Sequence, residues 1–226
     1  MKLKKLSALL AVSTLLATSS AMAWESESGA WSTSASVALG SNYVWRGITQ
    51  TDDEAAISGS FDVGHSSGLY AGVWASNVDF GDSVSTEIDY YAGFANDIGD
   101  TGLSYDVGGL YYQYPDGEDL DFFEVYGSLG YSFLTAGMAY TAAADDSDLE
   151  GSIYYSLDAS YDVGAITLAA GVGYYDFDDK DWKDYTNYKV GASTELVGFG
   201  LDLSYTDTDL NGADTDAITF TISRSM

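Results

Sequence analysis

Beyond residue 30 the chain alternates apolar and polar positions with a period of two, in short segments separated by turn-forming residues. In 153–161, Ile153, Tyr155, Leu157, Ala159 and Tyr161 share one face, while Tyr154, Ser156, Asp158 and Ser160 share the other. Phe123, Val125, Gly127, Leu129 and Tyr131 alternate in the same way with Glu124, Tyr126, Ser128 and Gly130. A helix would scatter both sets around its circumference; a strand separates them. The pattern predicts strands near 33–48, 56–64, 69–78, 86–96, 103–114, 122–131, 134–142, 152–162, 166–175, 185–195, 200–207 and 216–224. Each is close to the length, about 9–11 residues, with which a tilted strand crosses a hydrocarbon layer.

The joins between these segments are alternately short and long. His65-Ser66-Ser67-Gly68, Asp97 to Gly102, Ser132-Phe133, Val163-Gly164-Ala165 and Leu196 to Phe199 are short and carry few charges. Between them lie Thr49 to Ala55, Asp79 to Ser85, Pro115 to Asp121, Ala143 to Gly151, Asp176 to Asp184 and Thr208 to Thr215, longer and dense in acid. Barrels of the bacterial outer membrane keep short turns in the periplasm and long loops outside, and a closed barrel leaves no unpaired strand edge in lipid. The expected fold is therefore all-β: an antiparallel transmembrane β-barrel of about 12 strands, with short periplasmic turns and longer acidic extracellular loops. A secreted β-sandwich is the alternative, but it would carry a water-exposed face on each sheet. Here the polar face is mostly Gly, Ser, Thr, Ala and Tyr. Tyr105, Tyr131, Tyr140, Tyr161, Tyr174 and Tyr188 fall near strand ends, where interfacial aromatic girdles sit.

The first 23 residues read as an export signal: Lys2, Lys4 and Lys5, then an apolar run from Leu6 to Ala17, then the small residues of Ala21-Met22-Ala23 before Trp24. We expect a signal peptide at 1–23, a single barrel domain at 24–226 and a location in the cell outer membrane. Cysteine is absent, so neither a disulfide framework nor a lipid-modified cysteine is available. The formal charge is −27 over the whole chain; residues 1–23 hold three of the eight basic residues and none of the 35 acidic ones, leaving 5 against 35, or −30. Nucleic acid is an implausible partner for such a surface. Outer-membrane lipid, lipopolysaccharide and small solutes or ions are the expected partners.

Within a barrel, strand 166–175 would turn Ile166, Leu168, Ala170, Val172 and Tyr174 outward and leave the small Thr167, Ala169, Gly171 and Gly173 inside. Larger polar groups on inward faces are Arg46, Glu87, Asp89, Glu124, Asp158, Lys189 and Asp202. These form the candidate pore-lining and constriction set. Arg46 either contributes to a charged constriction that selects ions by sign or neutralises lumen carboxylates and ties adjoining strands together. The facing of Tyr70, Trp74, Tyr112 and Tyr154 stays open; turned inward, their rings would plug a pore or line it. Six acidic loops on one rim would favour cations within a Debye length, about 8 Å at physiological salt.

Candidates for other chemistry are sparse. Asp176, Asp178, Asp179 and Asp181 make a weak calcium candidate, as do Asp207, Asp209 and Asn211, which begin with EF-hand oxygen spacing but have Ile218 where the closing Glu belongs. His65, the only histidine, stands in a short turn beside Ser66 and Ser67, a poor setting for a Ser/His/acid centre near the outer leaflet, and one His with no Cys cannot supply a usual zinc site. We expect a non-enzyme with no cofactor.

Ser41-Asn42-Tyr43-Val44-Trp45-Arg46-Gly47-Ile48-Thr49-Gln50-Thr51, the later Ser67-Gly68-Leu69-Tyr70-Ala71-Gly72-Val73-Trp74-Ala75-Ser76-Asn77-Val78-Asp79-Phe80, and Glu87-Ile88-Asp89-Tyr90-Tyr91-Ala92-Gly93 resemble the proteobacterial TorF-like porin family. The resemblance extends in length and organisation over the rest of the chain after the signal. It implies an outer-membrane barrel with a transport role and brings no catalytic residues with it. The chain departs from general barrel practice at its end, Thr219-Phe220-Thr221-Ile222-Ser223-Arg224-Ser225-Met226, which lacks a terminal aromatic. The function this implies is passive diffusion of small hydrophilic or cationic solutes; the alternative is a non-conducting barrel with a surface-structural or adhesive role for its acidic loops.

Overall fold

A computed structural model describes residues 23–81, 83–179, 181–210 and 215–226. Most of the expected signal peptide and the calcium candidate Asn211 lie outside the described residues.

Twelve antiparallel strands form the barrel. In chain order they are β1 (Trp31–Gly40), β2 (Ala56–His65), β3 (Leu69–Asn77), β4 (Thr86–Asp97), β5 (Leu103–Gln113) and β6 (Phe122–Tyr131). They continue with β7 (Leu134–Ala144), β8 (Ile153–Val163), β9 (Ile166–Asp176), β10 (Tyr185–Leu196), β11 (Phe199–Thr208) and β12 (Ala217–Ser225). Each pairs with the next, and β12 returns to β1, with Thr221 opposite Gly40 and Ser225 opposite Ser36, so the sheet closes on itself. Closure satisfies the backbone of both outermost strands, which a membrane-spanning sheet requires. The short segment Trp24–Glu25 adds to β1 alone, opposite Ser32 and Thr33.

The alternation read from the sequence places the other eleven strands within two residues of where they stand, and fails at the first. The predicted strand 33–48 stops at Gly40, and the chain turns away from the wall after Ser41, whose N–H still donates to the Phe220 carbonyl of β12.

Outward positions are apolar and exposed: Val37, Leu39, Ile57, Phe61, Val107, Val125, Leu129, Met138, Leu157, Leu168, Val190 and Leu203 make a continuous belt around the barrel. A contiguous apolar band of this kind is a surface built for hydrocarbon. At the short-turn end the belt is rimmed by Trp31, Tyr131, Phe133, Tyr161 and Phe199, and at the long-loop end by Tyr90, Tyr140, Tyr155, Tyr174, Tyr188 and Tyr205. The inward positions are the reverse: Ser76, Glu87, Asp89, Asp106, Glu124, Thr141, Asn187, Asp202, Ser204, Thr206 and Thr219 are polar and buried. The short turns use left-handed backbone where two residues must reverse a strand, as at Val197 (φ 54°) and Gly198 (φ 80°) between β10 and β11. Arg224 of β12 donates to the Gly198 carbonyl and ties that turn down.

Candidate functional site

The segment that leaves the wall after β1 folds into the lumen as a hairpin. Val44–Trp45 and Ile48–Thr49 pair with each other, Val44 opposite Thr49 and Trp45 opposite Ile48. Arg46 (φ 49°) and Gly47 (φ 86°) form the two-residue turn between them. Positive φ at both central residues is the type I′ pattern that matches the twist of a tight hairpin. A second reversal follows at Asp52 and Asp53, closed by the Glu54 N–H donating to the Thr51 carbonyl at 2.9 Å. The loop is cross-braced: the Gln50 N–H donates to the Tyr43 carbonyl at 2.7 Å, Thr49 Oγ1 donates to Asn42 Oδ1 at 2.8 Å, and Asn42 Nδ2 donates to Asp53 Oδ1 at 2.7 Å.

The hairpin spans the lumen from wall to wall at the long-loop end. On one side the Tyr43 hydroxyl donates to Glu87 Oε1 of β4 at 2.9 Å, and the Tyr43 ring meets Trp74 of β3 edge-on at 5.3 Å. At the tip, Arg46 Nη2 donates to Glu124 Oε2 of β6 at 2.7 Å, forming a buried ion pair. The Arg46 guanidinium carbon also lies 4.2 Å from the Trp45 ring centre, 4.3 Å from that of Tyr154 of β8 and 4.9 Å from that of Tyr175 of β9. Trp45 is wedged among Tyr112, Phe122 and Tyr175 at 5.9 to 6.1 Å. On the far side Gly47 passes so close to β10 and β11 that a Cβ would sit 2.7 Å from Asn187 Cβ and from Thr208 Cγ2. Only glycine satisfies both the turn and this approach.

These contacts revise the expected roles of four of the candidate residues. Arg46 is at a loop tip in the lumen, not near the outer end of a strand. Glu87, Asp89 and Glu124 do point inward, but each is only 1% exposed, packed beneath the hairpin instead of facing open water. Glu87 is held by the Tyr43 and Tyr114 hydroxyls, the latter donating at 3.2 Å, and Glu124 by Arg46 and by Tyr112 at 3.3 Å. Neither oxygen of Asp89 has a hydrogen-bond partner among the described residues. The ion pair expected of Arg46 is present, and it fastens a loop to the wall where a strand-to-strand tie was anticipated.

Asp158, Lys189 and Asp202 form a separate group lower in the lumen. Asp158 faces Gly171 across β8 and β9, and Gly171 faces Lys189 across β9 and β10. Because Gly171 has no side chain, the Asp158 carboxylate leans over it toward β10; a Cβ there would collide with Asp158 Oδ1. Asp158 and Asp202 both act electrostatically on Lys189, and Asp158 is exposed within the lumen where the hairpin carboxylates are not.

Tyr70, Trp74, Tyr112 and Tyr154 all turn inward. Tyr70 donates to Asp106 Oδ1 at 2.6 Å and also meets the Tyr126 hydroxyl, while the Tyr91 hydroxyl donates to Asp62 Oδ1. Strands β2 to β6 therefore present a thick tyrosine–carboxylate wall. Strands β8 to β10 present the small inward residues Ser156, Ser160, Thr167, Ala169, Gly171, Gly191 and Ser193. Asp62 and Asp106 were missed in the sequence, although each shares its strand's inward parity, with Ser58 and Ser60 in one case and Tyr112 in the other.

The remaining candidates do not assemble. Asp207 Oδ1 accepts from the Thr208 N–H and Asp179 Oδ1 from the Asp181 N–H, both local turn contacts, while Asp209 Oδ1 accepts from the Thr186 N–H at the start of β10 and ties the two strand ends together. Among the described residues no group of three or more His, Cys, Asp or Glu side chains is placed to hold a metal ion, Asp176, Asp178 and Asp181 included. His65 packs on Trp31 at 4.6 Å and shares a hydrogen bond with Ser67 in the turn after β2.

The barrel is similar in fold to the KdgM porin (8% identity, TM-score 0.60, 85% of this chain and 99% of that one) and to the NanC porin (15%, 0.56, 84% and 97%). It is also similar to the COG4313 outer membrane channel from Pseudomonas putida F1 (12%, 0.55, 86% and 95%). Comparison with curated protein sequences finds no match. One family model spans nearly the whole barrel: with residues 24–225 matched, the chain belongs to the Gcw_chp family, bacterial proteins of unknown function.

Proposed function

We propose that this protein is an outer-membrane channel for passive diffusion of small hydrophilic or cationic solutes, narrowed at its extracellular end by the 41–55 loop. The observation that carries the reading is the division of the lumen: a loop fixed across a closed barrel, opposite a wall whose inward side chains along β8 to β10 are mostly small. The porin and channel folds it resembles support the same reading, as does the resemblance to TorF-like porins over residues 41–51 and 67–80. Inward carboxylates outnumber inward cations, since Asp62, Asp106, Asp158 and Asp202 join those beneath the hairpin while Arg46 and Lys189 are the bases facing them. A lumen of that balance lowers the electrostatic cost of a cation and raises that of an anion.

The test is single-channel conductance of the refolded mature chain in a planar bilayer under a KCl gradient. Discrete steps with a cation-selective reversal potential support the channel; anion selectivity overturns the cation preference. The close packing of Tyr43, Trp45 and Arg46 favours a second reading, a non-conducting barrel whose acidic loops serve a surface role. A folded barrel that stays silent, and stays silent when the hairpin is released by substitution, would support it.

A further inference from the structure

Glu87, Asp89 and Glu124 lie sealed beneath the hairpin, and one guanidinium reaches them: Arg46 pairs with Glu124, while Glu87 and Asp89 have no cation within ion-pair distance among the described residues. Glu87 accepts from the Tyr43 and Tyr114 hydroxyls, but both oxygens of Asp89, Glu124 Oε1 and Arg46 Nη1 are buried with no hydrogen-bond partner among the described residues. Glu87 and Glu124 both act electrostatically on Asp89. The other titratable groups facing Asp89 are Tyr91 of β4, Tyr112 and Tyr114 of β5 and Tyr43 of the hairpin, and none of them is a cation. The register encloses Asp89 between rings, with Trp74 of β3 opposite it on one side and Tyr112 on the other. Three carboxyls against one guanidinium reach neutrality only when two of them carry protons. A sealed carboxylic acid costs far less than a sealed, unpaired carboxylate, so seating the hairpin and holding those protons favour each other.

We propose that the hairpin is a proton-operated latch on the lumen: it seats against the wall when Asp89 and Glu87 carry protons and comes away when they ionise. The hydrogen bonds that Tyr43 and Arg46 make to the barrel both end on carboxyls of this group, so the charge that builds up on ionisation lies at the hairpin's own points of attachment. The hairpin is also the part that can give. Strands β4, β5 and β6 hold one another through long antiparallel ladders, whereas Val44 and Trp45 pair only with Thr49 and Ile48. Released, the segment stays tethered to β1 at one end and β2 at the other, so its departure is a reversible swing that water follows into the space beneath. Acid therefore narrows the lumen and alkali widens it. The inference rests on the channel reading only where conductance is what is measured.

The experiment is hydrogen exchange of the refolded mature chain between about pH 5 and about pH 9, the span between ordinary carboxylate and tyrosine ionisation, with rates corrected for the pH dependence of free amides. Bilayer conductance is recorded over the same span. Protection of residues 41–55 is expected to fall by about tenfold or more toward the alkaline end, the change that one linked proton gives per pH unit, while the strands stay protected and the unitary conductance rises. Asp89→Asn keeps the shape, removes the charge and breaks no hydrogen bond made among the described residues, so its fall should shrink to about threefold or less. Asp97→Asn, the same substitution at the exposed short-turn end of the same strand, should keep the wild-type fall. Heat-modifiable gel migration reports that each barrel is folded; should Asp89→Asn not fold, the wild-type profile and Glu87→Gln decide. Protection of 41–55 that ignores pH in the wild type, a fall toward acid instead, or an undiminished fall in folded Asp89→Asn overturns the latch. A barrel whose protection follows pH yet never conducts keeps the latch and removes the channel; one that conducts with protection unchanged by pH keeps the channel and removes the latch.

Discussion

Arg46 and Glu124, 78 positions apart in sequence, meet at 2.7 Å in the interior of the barrel, with three aromatic rings around the guanidinium. Taking a buried charge's partner away leaves the other unpaired, at a cost of about 3–5 kcal/mol. Arg46→Ala should therefore undock the hairpin, and bilayer recordings should show a larger unitary conductance than wild type. Arg46→Met with Glu124→Leu removes both charges at similar volume and should restore much of the docking, so that its conductance falls back toward the wild-type value.

Gly47 offers the same release without touching a charge. Its φ of 86° and the 2.7 Å approach to Asn187 and Thr208 leave no place for a β-carbon. Gly47→Val should raise conductance as Arg46→Ala does while leaving Arg46 and Glu124 in the chain. Hydrogen exchange confined to residues 41–55, with the strands still protected, would locate the change; a variant indistinguishable from wild type would show that the hairpin does not set the opening.

Selectivity should follow the exposed lumen charges and ignore the sealed ones. Lys189→Gln removes the base flanked by Asp158 and Asp202, and the cation-to-anion permeability ratio should rise by roughly fivefold, the equivalent of about 1 kcal/mol for a unit charge at contact in water. Asp158→Asn should lower it by a similar factor. Glu87→Gln, at 1% exposure beneath the hairpin, should leave it nearly unchanged. Reversal potentials at low and high KCl check all three, and the shifts should shrink as salt screens them.

The tyrosine–carboxylate wall should be a source of stability. Tyr70→Phe deletes the donor to Asp106 and leaves that carboxylate inside the barrel without it, at a cost of about 1–3 kcal/mol. Tyr91→Phe does the same to Asp62. Guanidinium unfolding midpoints of the refolded barrel should fall in both variants, with conductance steps of unchanged size.

The barrel was legible because lipid outside and polar side chains inside impose one rule on every strand, and Ile153 to Tyr161 or Phe123 to Tyr131 obey it without interruption. The hairpin was not legible for the same reason. Tyr43-Val44-Trp45-Arg46-Gly47-Ile48 continues the alternation of β1, and a loop that enters the lumen is surrounded by protein on every side, so it has no lipid face to betray it. The local signal was Arg46-Gly47, a two-residue turn flanked by the strand-forming pairs Val44-Trp45 and Ile48-Thr49. Inward parity correctly oriented Glu87, Asp89 and Glu124; their sealing depends on a segment from elsewhere in the chain, which no strand-by-strand reading contains.

The loop that crosses the lumen also constrains the order of assembly. Its seats are on β3, β4, β6 and β8 to β11, while the strand it leaves, β1, is completed only by β12, the last to be synthesised. Those seats face one another only when the two walls stand opposite, so docking belongs to the end of folding, after strands far apart in sequence have met. The segment that narrows the lumen is thus also the one that can take its place only once the walls around it are built.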